Sequence, residues 1–320
     1  MMELHILIPV LDDWEALECL ITDIDRALAS RGWRAKVQIV DDGGTPPDRL
    51  GSWNLTNVDR IDILRLRRNV GHQRAICIGL VTLYQRHAGG LVAVMDGDGQ
   101  DRPEDLIRLV DACLDGGARQ IVFAGRRKRS EGLLFQLLYQ AFLFLHLVLV
   151  GFRARVGSFS VIPFQFLETL LVTPEAWNHY AAAVFRAGLP RRIIPAPRGR
   201  RSHGRSRMDL VSLVSHGLSA IAVFSDVVGT RMLVAVAAVS LLLADGGIIA
   251  LAFQLVSDRP VPDRLILLAG LLVIILFHAT LLCFMLVLFM LHSRSGVNFV
   301  PLRDTSCYVS HNRSVFPSNV

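Results

Sequence analysis

The stretch Met95-Asp96-Gly97-Asp98-Gly99-Gln100-Asp101-Arg102-Pro103-Glu104 follows directly on the apolar run Leu91 to Val94. Side chains alternate faces along a strand, so Asp96 and Asp98, two residues apart, are expected to point the same way. Two carboxylates that close repel unless a cation lies between them. Hard divalent ions such as Mg²⁺ or Mn²⁺ take oxygen ligands and keep positions open for phosphate oxygens, so the pair suits a nucleotide diphosphate. A plainer reading is an acidic turn before a helix, with Pro103 in its first turn and Glu104 and Asp105 near its positive end. The surrounding sequence has to decide between them.

At 320 residues the chain is long enough for one substantial domain plus an appendage. A mean hydropathy of +0.43 is too high for a soluble enzyme of this size, and the excess sits in the last third. Leu233 to Val256 is apolar but for Ser240, Asp245 and Gln254, and Leu265 to Leu291 carries no charge unless His278 is protonated. Each exceeds the ~20 residues that span a bilayer core, which predicts transmembrane helices at about 232–256 and 265–291. Only the uncharged-on-balance loop Ser257 to Arg264 separates them, so they form a hairpin with both ends on one side. Arg231 before it, His292, Arg294 and Arg303 after it, and the basic amino-terminal part assign that side to the cytoplasm. The expected location is the inner (cytoplasmic) membrane, multi-pass, with residues 1–229 as a cytoplasmic catalytic domain, 230–291 as the hairpin and 292–320 as a polar, poorly ordered tail. Asp245 falls near mid-membrane, and His278 lies at a similar depth on the partner helix. Either the two pair, or Asp245-Gly246-Gly247 is a local helix break facing protein.

The apolar stretch Leu4 to Leu11 is too short for a signal peptide and runs into Asp12 and Asp13. Cys19, Cys77, Cys113, Cys283 and Cys307 are scattered without a Cys-x-x-Cys pair, which fits a reducing cytosol and no zinc site. The net charge of +6 rests almost wholly on arginine, since Lys36 and Lys128 are the only lysines. That count alone identifies no partner.

Through the first two thirds, short apolar runs alternate with helical periods. Strands are predicted at Leu4 to Val10, Lys36 to Val40, Ile61 to Leu66, Leu91 to Met95 and Gln120 to Ala124, with helices near Trp14 to Ser30, His72 to Arg86 and Pro103 to Leu114. Such alternation means an α/β fold, a mostly parallel sheet covered on both faces, with ligands bound beyond the carboxyl ends of its strands. Polar motifs stand at those ends: Pro9 to Asp13, Asp41-Asp42-Gly43-Gly44, Arg67 to His72, and the aspartates of the opening stretch. Leu133 to Val150 is a third apolar stretch, interrupted by Gln136, Gln140 and His146. Spanning would separate the aspartates from the arginines that follow, so an interfacial helix lying in the membrane plane is expected.

With these residues assembled, the chain resembles family 2 glycosyltransferases of the GT-A (Rossmann-like) fold, in particular the polyisoprenyl-phosphate glycosyltransferases. The resemblance runs from about Leu4 to Asp226, and a trailing hairpin is typical. The family's Pro-Val-Tyr-Asn-Glu motif reads here Pro9-Val10-Leu11-Asp12-Asp13, and its Asp-Asp-Gly-Ser reads Asp41-Asp42-Gly43-Gly44. Arg68-Asn69-Val70-Gly71-His72-Gln73-Arg74-Ala75 keeps the Arg-Asn-x-Gly-x-x-x-Ala pattern, and Asp96 to Glu104 differs little from Asp-Ala-Asp-Leu-Gln-Asp-Pro-Pro-Glu. The resemblance implies a nucleotide-diphosphate sugar donor contacted by Pro9, Asp13, Asp41, Asp42, Arg68, Asn69, Gly71, Asp96 and Ser206. It also implies Mg²⁺ or Mn²⁺ on Asp96, Asp98 and Gln100. Further on, Arg200 to Met208 matches an Arg-x-x-Gly-x-Ser-Lys-Tyr loop, in which Arg201 and Arg207 are expected to clamp a phosphate of the lipid acceptor or of the nucleotide. Asp96, Asp98, Arg201 and Arg207 are the expected catalytic residues.

One departure bears on the acceptor. Relatives carry Gly-Asp-Phe-Arg where this chain has Gly157-Ser158-Phe159-Ser160, so the aspartate and the arginine are both absent. A phosphate monoester has a second pKa of about 6 and is already largely anionic at neutral pH, so a polyprenyl phosphate acceptor needs positioning more than deprotonation. A sugar hydroxyl would need a base, for which Asp101, Glu175 and His179 are the candidates. The expected activity is inverting, metal-dependent transfer of one sugar to a polyprenyl phosphate at the cytoplasmic face, with membrane lipid as a further partner. No nucleic acid is implied, and a homo-oligomer stays open. Two rivals remain: a processive or hydroxyl-directed membrane transferase, against which the absence of Gln-x-x-Arg-Trp counts, and a non-catalytic membrane partner keeping the fold.

Overall fold

The computed structural model of the chain describes residues 3–45, 53–126, 133–151, 156–197, 199, 217–257, 262–295 and 299–317. The chain divides into two compact units, one made of Met1–Leu137, Ala154–Val223 and Phe299–Val320, the other of Leu138–Arg153 and Phe224–Asn298.

The first unit is built on strands β1 (Leu4–Val10), β2 (Ala35–Asp41), β3 (Val58–Leu66), β4 (Leu91–Val94), β5 (Ile121–Arg126), β6 (Val156–Pro163), β7 (Arg191–Ala196) and β8 (Val309–Phe316). They form one sheet in the order β7-β5-β6-β4-β1-β2-β3-β8. The pairings β4 with β1, β1 with β2, β2 with β3 and β5 with β7 are parallel, and only β6 and β8 run against their neighbours. Burial on both faces explains the unbroken apolar run of β1, every residue of which is buried. Its side chains divide as the strand period requires: Leu4, Ile6, Ile8 and Val10 join the core under α1 (Trp14–Ala29) and α3 (Pro103–Asp115), and Leu7 joins the core under α2 (His72–Arg86).

Asp25 ties α1 to the approach of β3. Its carboxylate accepts from the backbone N–H groups of Asn57 at 2.7 Å, Val58 at 2.9 Å and Thr56 at 3.1 Å. Burial alone would raise its pKa, but these donors together outweigh that and hold it below the ordinary 3.8. Its stabilisation is therefore complete above pH 3.8 and is lost as pH falls through the lower folded value. We expect Asp25→Ala to cost about 2–3 kcal/mol at neutral pH through orphaned backbone donors, read as a lower denaturation midpoint.

Three strands depart from the sequence expectation. The tail, expected to be poorly ordered, makes a helical turn at Pro301–Asp304 and then β8, which pairs antiparallel with β3. Only Val309, Val315 and Phe316 of β8 are apolar, so its periodicity is faint, yet it covers what would otherwise be the open edge of β3. β7 hides among the arginines because an edge strand tolerates exposed Arg191 and Arg192 and the donor-less Pro195. β6 holds the Gly157-Ser158-Phe159-Ser160 segment.

In the second unit, α7 (Ser225–Ser257) and α8 (Asp263–Ser295) are antiparallel neighbours in sequence that pack on each other. Ser225–Val256 and Asp263–Phe289 are long and apolar enough to cross a membrane, with apolar side chains such as Leu242, Phe253, Leu267 and Phe289 largely exposed. Both helices overrun the expected 232–256 and 265–291, since no proline stops them there. The expected helix over 133–150 is present as α4 (Leu133–Val150). Arg231, read above as a topological flank, donates to the carbonyls of Val148 at 3.2 Å and Leu149 at 3.3 Å, satisfying acceptors that the end of α4 leaves open. Neither expectation for Asp245 holds. Helix α7 runs unbroken through Asp245-Gly246-Gly247, and no ion pair joins Asp245 to His278, whose Nδ1 lies 2.8 Å from the Ile274 carbonyl of its own helix. Equal depth does not fix azimuth: each residue turns the helix by about 100°, and both side chains point outward.

Candidate active site

Four loops meet at the carboxyl ends of β1, β2, β3 and β4 because each strand stops there and exchanges ladder partners for side-chain ones. At the end of β2, the buried Asp41 carboxylate accepts from Gly44 N at 2.9 Å through Oδ1, and its Oδ2 has no hydrogen-bond partner among the described residues. Arg65 lies 3.7 Å from that Oδ2. The neighbouring Asp42 turns toward the β3–α2 connection and accepts from Val70 N at 2.7 Å and Gly71 N at 3.0 Å. Burial pushes both carboxyls above the ordinary range, and the donors offset it only in part. Asp12, at the end of β1, accepts from Thr45 N at 2.8 Å.

The Arg-Asn-x-Gly segment forms the turn into α2. Gly71 takes φ +93° at the helix N-cap, and its N–H also reaches Asn69 Oδ1 at 2.9 Å. Arg68 lies over the Tyr308 ring at 5.8 Å, so the carboxy-terminal segment backs this loop. The next residue is His72, whose Nε2 is 3.2 Å from Asp96 Oδ1, and Ser158 Oγ of β6 donates to the same oxygen at 2.8 Å. Asp96 therefore stands where the α2 start, the β4 exit and β6 converge.

Asp96 and Asp98 do not share a strand face as expected. β4 ends at Val94, and both aspartates lie in the turn beyond it. That turn is held internally: Asp101 Oδ2 accepts from Asp96 N at 2.8 Å, and Asp98 Oδ1 accepts from Gln100 N at 3.0 Å. Gly97 packs against the Pro9 carbonyl, where a Cβ would come within 3.2 Å. Gly199 N donates to Gln100 O at 2.9 Å, so the chain passes directly against this turn at Gly199.

Of the expected residues, Pro9, Asp41, Asp42, Arg68, Asn69, Gly71, Asp96, Asp98 and Gln100 all lie along this one sheet edge. Asp13 sits at the N-cap of α1, where its carbonyl accepts from Leu17 N at 3.1 Å. Arg201, Ser206 and Arg207 lie outside the described residues. The three candidate bases are otherwise engaged: Asp101 holds the turn, Glu175 faces Arg186 at 3.8 Å, and buried His179 accepts from Ala182 N at the start of α6 (Tyr180–Arg186). His72 is the titratable group that sequence reasoning missed, because it occupies a variable position of its motif. Asp12 was also passed over; its place in the Pro9 to Asp13 motif was the available signal.

Comparison with known proteins agrees with this arrangement. The family described as "Glycosyl transferase family 2" matches residues 6–177. Dodecaprenyl-phosphate galacturonate synthase of Rhizobium johnstonii is 27% identical over 134 residues, covering 41% of this chain and 38% of the relative. Undecaprenyl-phosphate 4-deoxy-4-formamido-L-arabinose transferase of Klebsiella pneumoniae is 25% identical over 133 residues, covering 41% of this chain and 39% of the relative. The chain thus matches about two fifths of the length of each. Glucosyl-3-phosphoglycerate synthase from Mycobacterium tuberculosis, solved with Mn²⁺, UDP and glucosyl-3-phosphoglycerate, is 15% identical over 71% of this chain and 80% of that one, with a TM-score of 0.47. With the family match covering more than half of the 320 residues, and the four motifs gathered on one edge of a mostly parallel GT-A sheet, the chain belongs to glycosyl transferase family 2.

Proposed function

We propose that this chain transfers a single sugar, with inversion, from a nucleotide-diphosphate sugar to a polyprenyl phosphate at the cytoplasmic face of the membrane. The observation that carries the reading is Asp96, whose Oδ1 is held by Ser158 and His72 while Asp98 and Gln100 follow in the same turn. Asp96, Asp98 and Gln100 supply only hard oxygen donors, a set that fits Mg²⁺ or Mn²⁺ and does not choose between them. Bound there, a divalent ion would neutralise charge on the leaving diphosphate.

The chain's own residues account for the rest. In this reading Asp41 Oδ2, which has no hydrogen-bond partner among the described residues, would accept from an N–H of the nucleotide base once the base displaces the side chains that cover it. Asp42 fixes the Arg68–Gly71 turn, from which Arg68 and Asn69 would contact the nucleotide. Ser158 and Ser160 are committed to Asp96 and Tyr180, at 2.8 Å and 2.5 Å, so the segment that replaces Gly-Asp-Phe-Arg orients the donor end of the site. A phosphate acceptor, anionic already, asks for no base from it. Arg201 and Arg207 would hold acceptor or donor phosphate, and the two long helices would keep the protein where a lipid acceptor resides.

Calorimetry on purified protein tests the donor end. Nucleoside diphosphate binding should weaken by at least about tenfold when Mn²⁺ is withheld or when Asp98 is replaced by alanine. Binding that ignores both changes contradicts the reading. Ser158→Ala removes one hydrogen bond to a carboxylate and should lower the transfer rate about tenfold, roughly 1.4 kcal/mol.

A further inference from the structure

At the opposite end of β1 a second group of donors collects. Glu3 precedes the strand, His5 is its second residue, and His87 follows the last turn of α2. One ligand atom from each lies within 4.8 Å of the others: His5 Nε2 is 3.6 Å and His87 Nδ1 3.9 Å from Glu3 Oε1, and the two imidazoles face each other at 4.1 Å between centroids. His5 is fully buried, and neither of its ring nitrogens has a hydrogen-bond partner among the described residues. A buried imidazole without a partner costs free energy that a bound ligand would recover.

We propose that Glu3, His5 and His87 bind a zinc ion. Two imidazole nitrogens and one carboxylate oxygen are a borderline-soft set, suited to Zn²⁺ and unsuited to Mg²⁺, which prefers all-oxygen surroundings. Tetrahedral ligands at ~2.0–2.1 Å from zinc stand roughly 3.4 Å apart, so the 3.6 and 3.9 Å separations from Glu3 close by a few tenths of an ångström, and the two imidazole nitrogens, within 4.8 Å of each other, close by as much as the ion draws them in. The scattered cysteines play no part, which is why spacing gave no sign of the site. Lys36 is the opposing feature: its Nζ donates to Glu3 Oε1 at 2.5 Å and competes for that carboxylate. Zinc here would clip the start of β1 to the end of α2, about 15–20 Å along the strand from the aspartates. The clip is independent of the sugar-transfer reading.

The test is zinc retention by untagged, full-length protein in detergent, loaded with zinc in the presence of excess Mg²⁺, dialysed against zinc-free buffer with Mg²⁺ and measured by atomic emission. We expect one zinc per chain in the wild type and in Asp98→Ala. His87→Ala and Glu3→Gln should weaken binding by at least about tenfold, and Lys36→Met should tighten it several-fold. His5→Ala empties a core position and endangers the fold, so the two peripheral variants carry the result. The proposal is overturned if the wild type retains no zinc, if His87→Ala retains it unchanged, or if Asp98→Ala abolishes it.

Discussion

Asparagine at position 96 is expected to lower the rate of sugar transfer by about 10³-fold, some 4 kcal/mol of transition-state stabilisation, with little change in folding stability. The substitution keeps the shape of the side chain and an oxygen for Ser158 Oγ to donate to. It removes the negative charge that His72 and Ser158 now orient and that, in the proposed function, would help hold the cation on the leaving diphosphate. Loss of one such group from a pre-organised site typically costs two to three decades. A thermal melt beside the rate measurement separates chemistry from folding. A variant within tenfold of wild type would remove Asp96 from the reacting end of the donor.

Gly43→Ala should be strongly destabilising, by about 2–5 kcal/mol. Gly43 takes φ +77°, which costs an alanine about 1–2 kcal/mol. Its Cβ would also fall 2.5 Å from Arg68 C and from Asn69 N, both backbone atoms that cannot rotate away. Overpacking of that kind adds about 1–3 kcal/mol. Gly71→Ala is the matched control, since φ is +93° but nothing lies within 4 Å of the added carbon. With ψ at 149°, in a region open essentially to glycine alone, it should cost only the conformational share, about 1–3 kcal/mol. Equal losses in the two variants, measured by chemical denaturation, would mean that the close approach of the β2 and β3 exits is not what makes glycine necessary at 43.

The amino-terminal half of the sheet was legible because parallel strands buried on both faces carry dense apolar runs, as Leu4 to Val10 does. The motifs at their ends were legible for the same reason: a strand's end is where polar residues can first face a ligand. What escaped was whatever depends on partners distant in sequence. β8 acquires its identity from the open edge of β3, and β7 from being an edge. The aspartate pair was found through a strand periodicity that does not apply to it, since the pair lies past Val94 in a turn closed by Asp101. His72 and Ser158 gain their meaning only by meeting at Asp96, across separations of 24 and 62 positions. Asp245 and His278 illustrate the converse, since equal depth in two helices does not bring two side chains together.

The central claim is tested most directly by incubating the purified protein in lipid with polyprenyl phosphate and a panel of labelled nucleotide sugars, with and without divalent metal, and identifying the product. The account predicts one sugar joined to the lipid phosphate with inverted anomeric configuration, formed only with Mg²⁺ or Mn²⁺ and about 10³-fold more slowly with Asp96→Asn. Transfer to a sugar hydroxyl, a polymeric product, metal-independent transfer, or no transfer from any donor would contradict it.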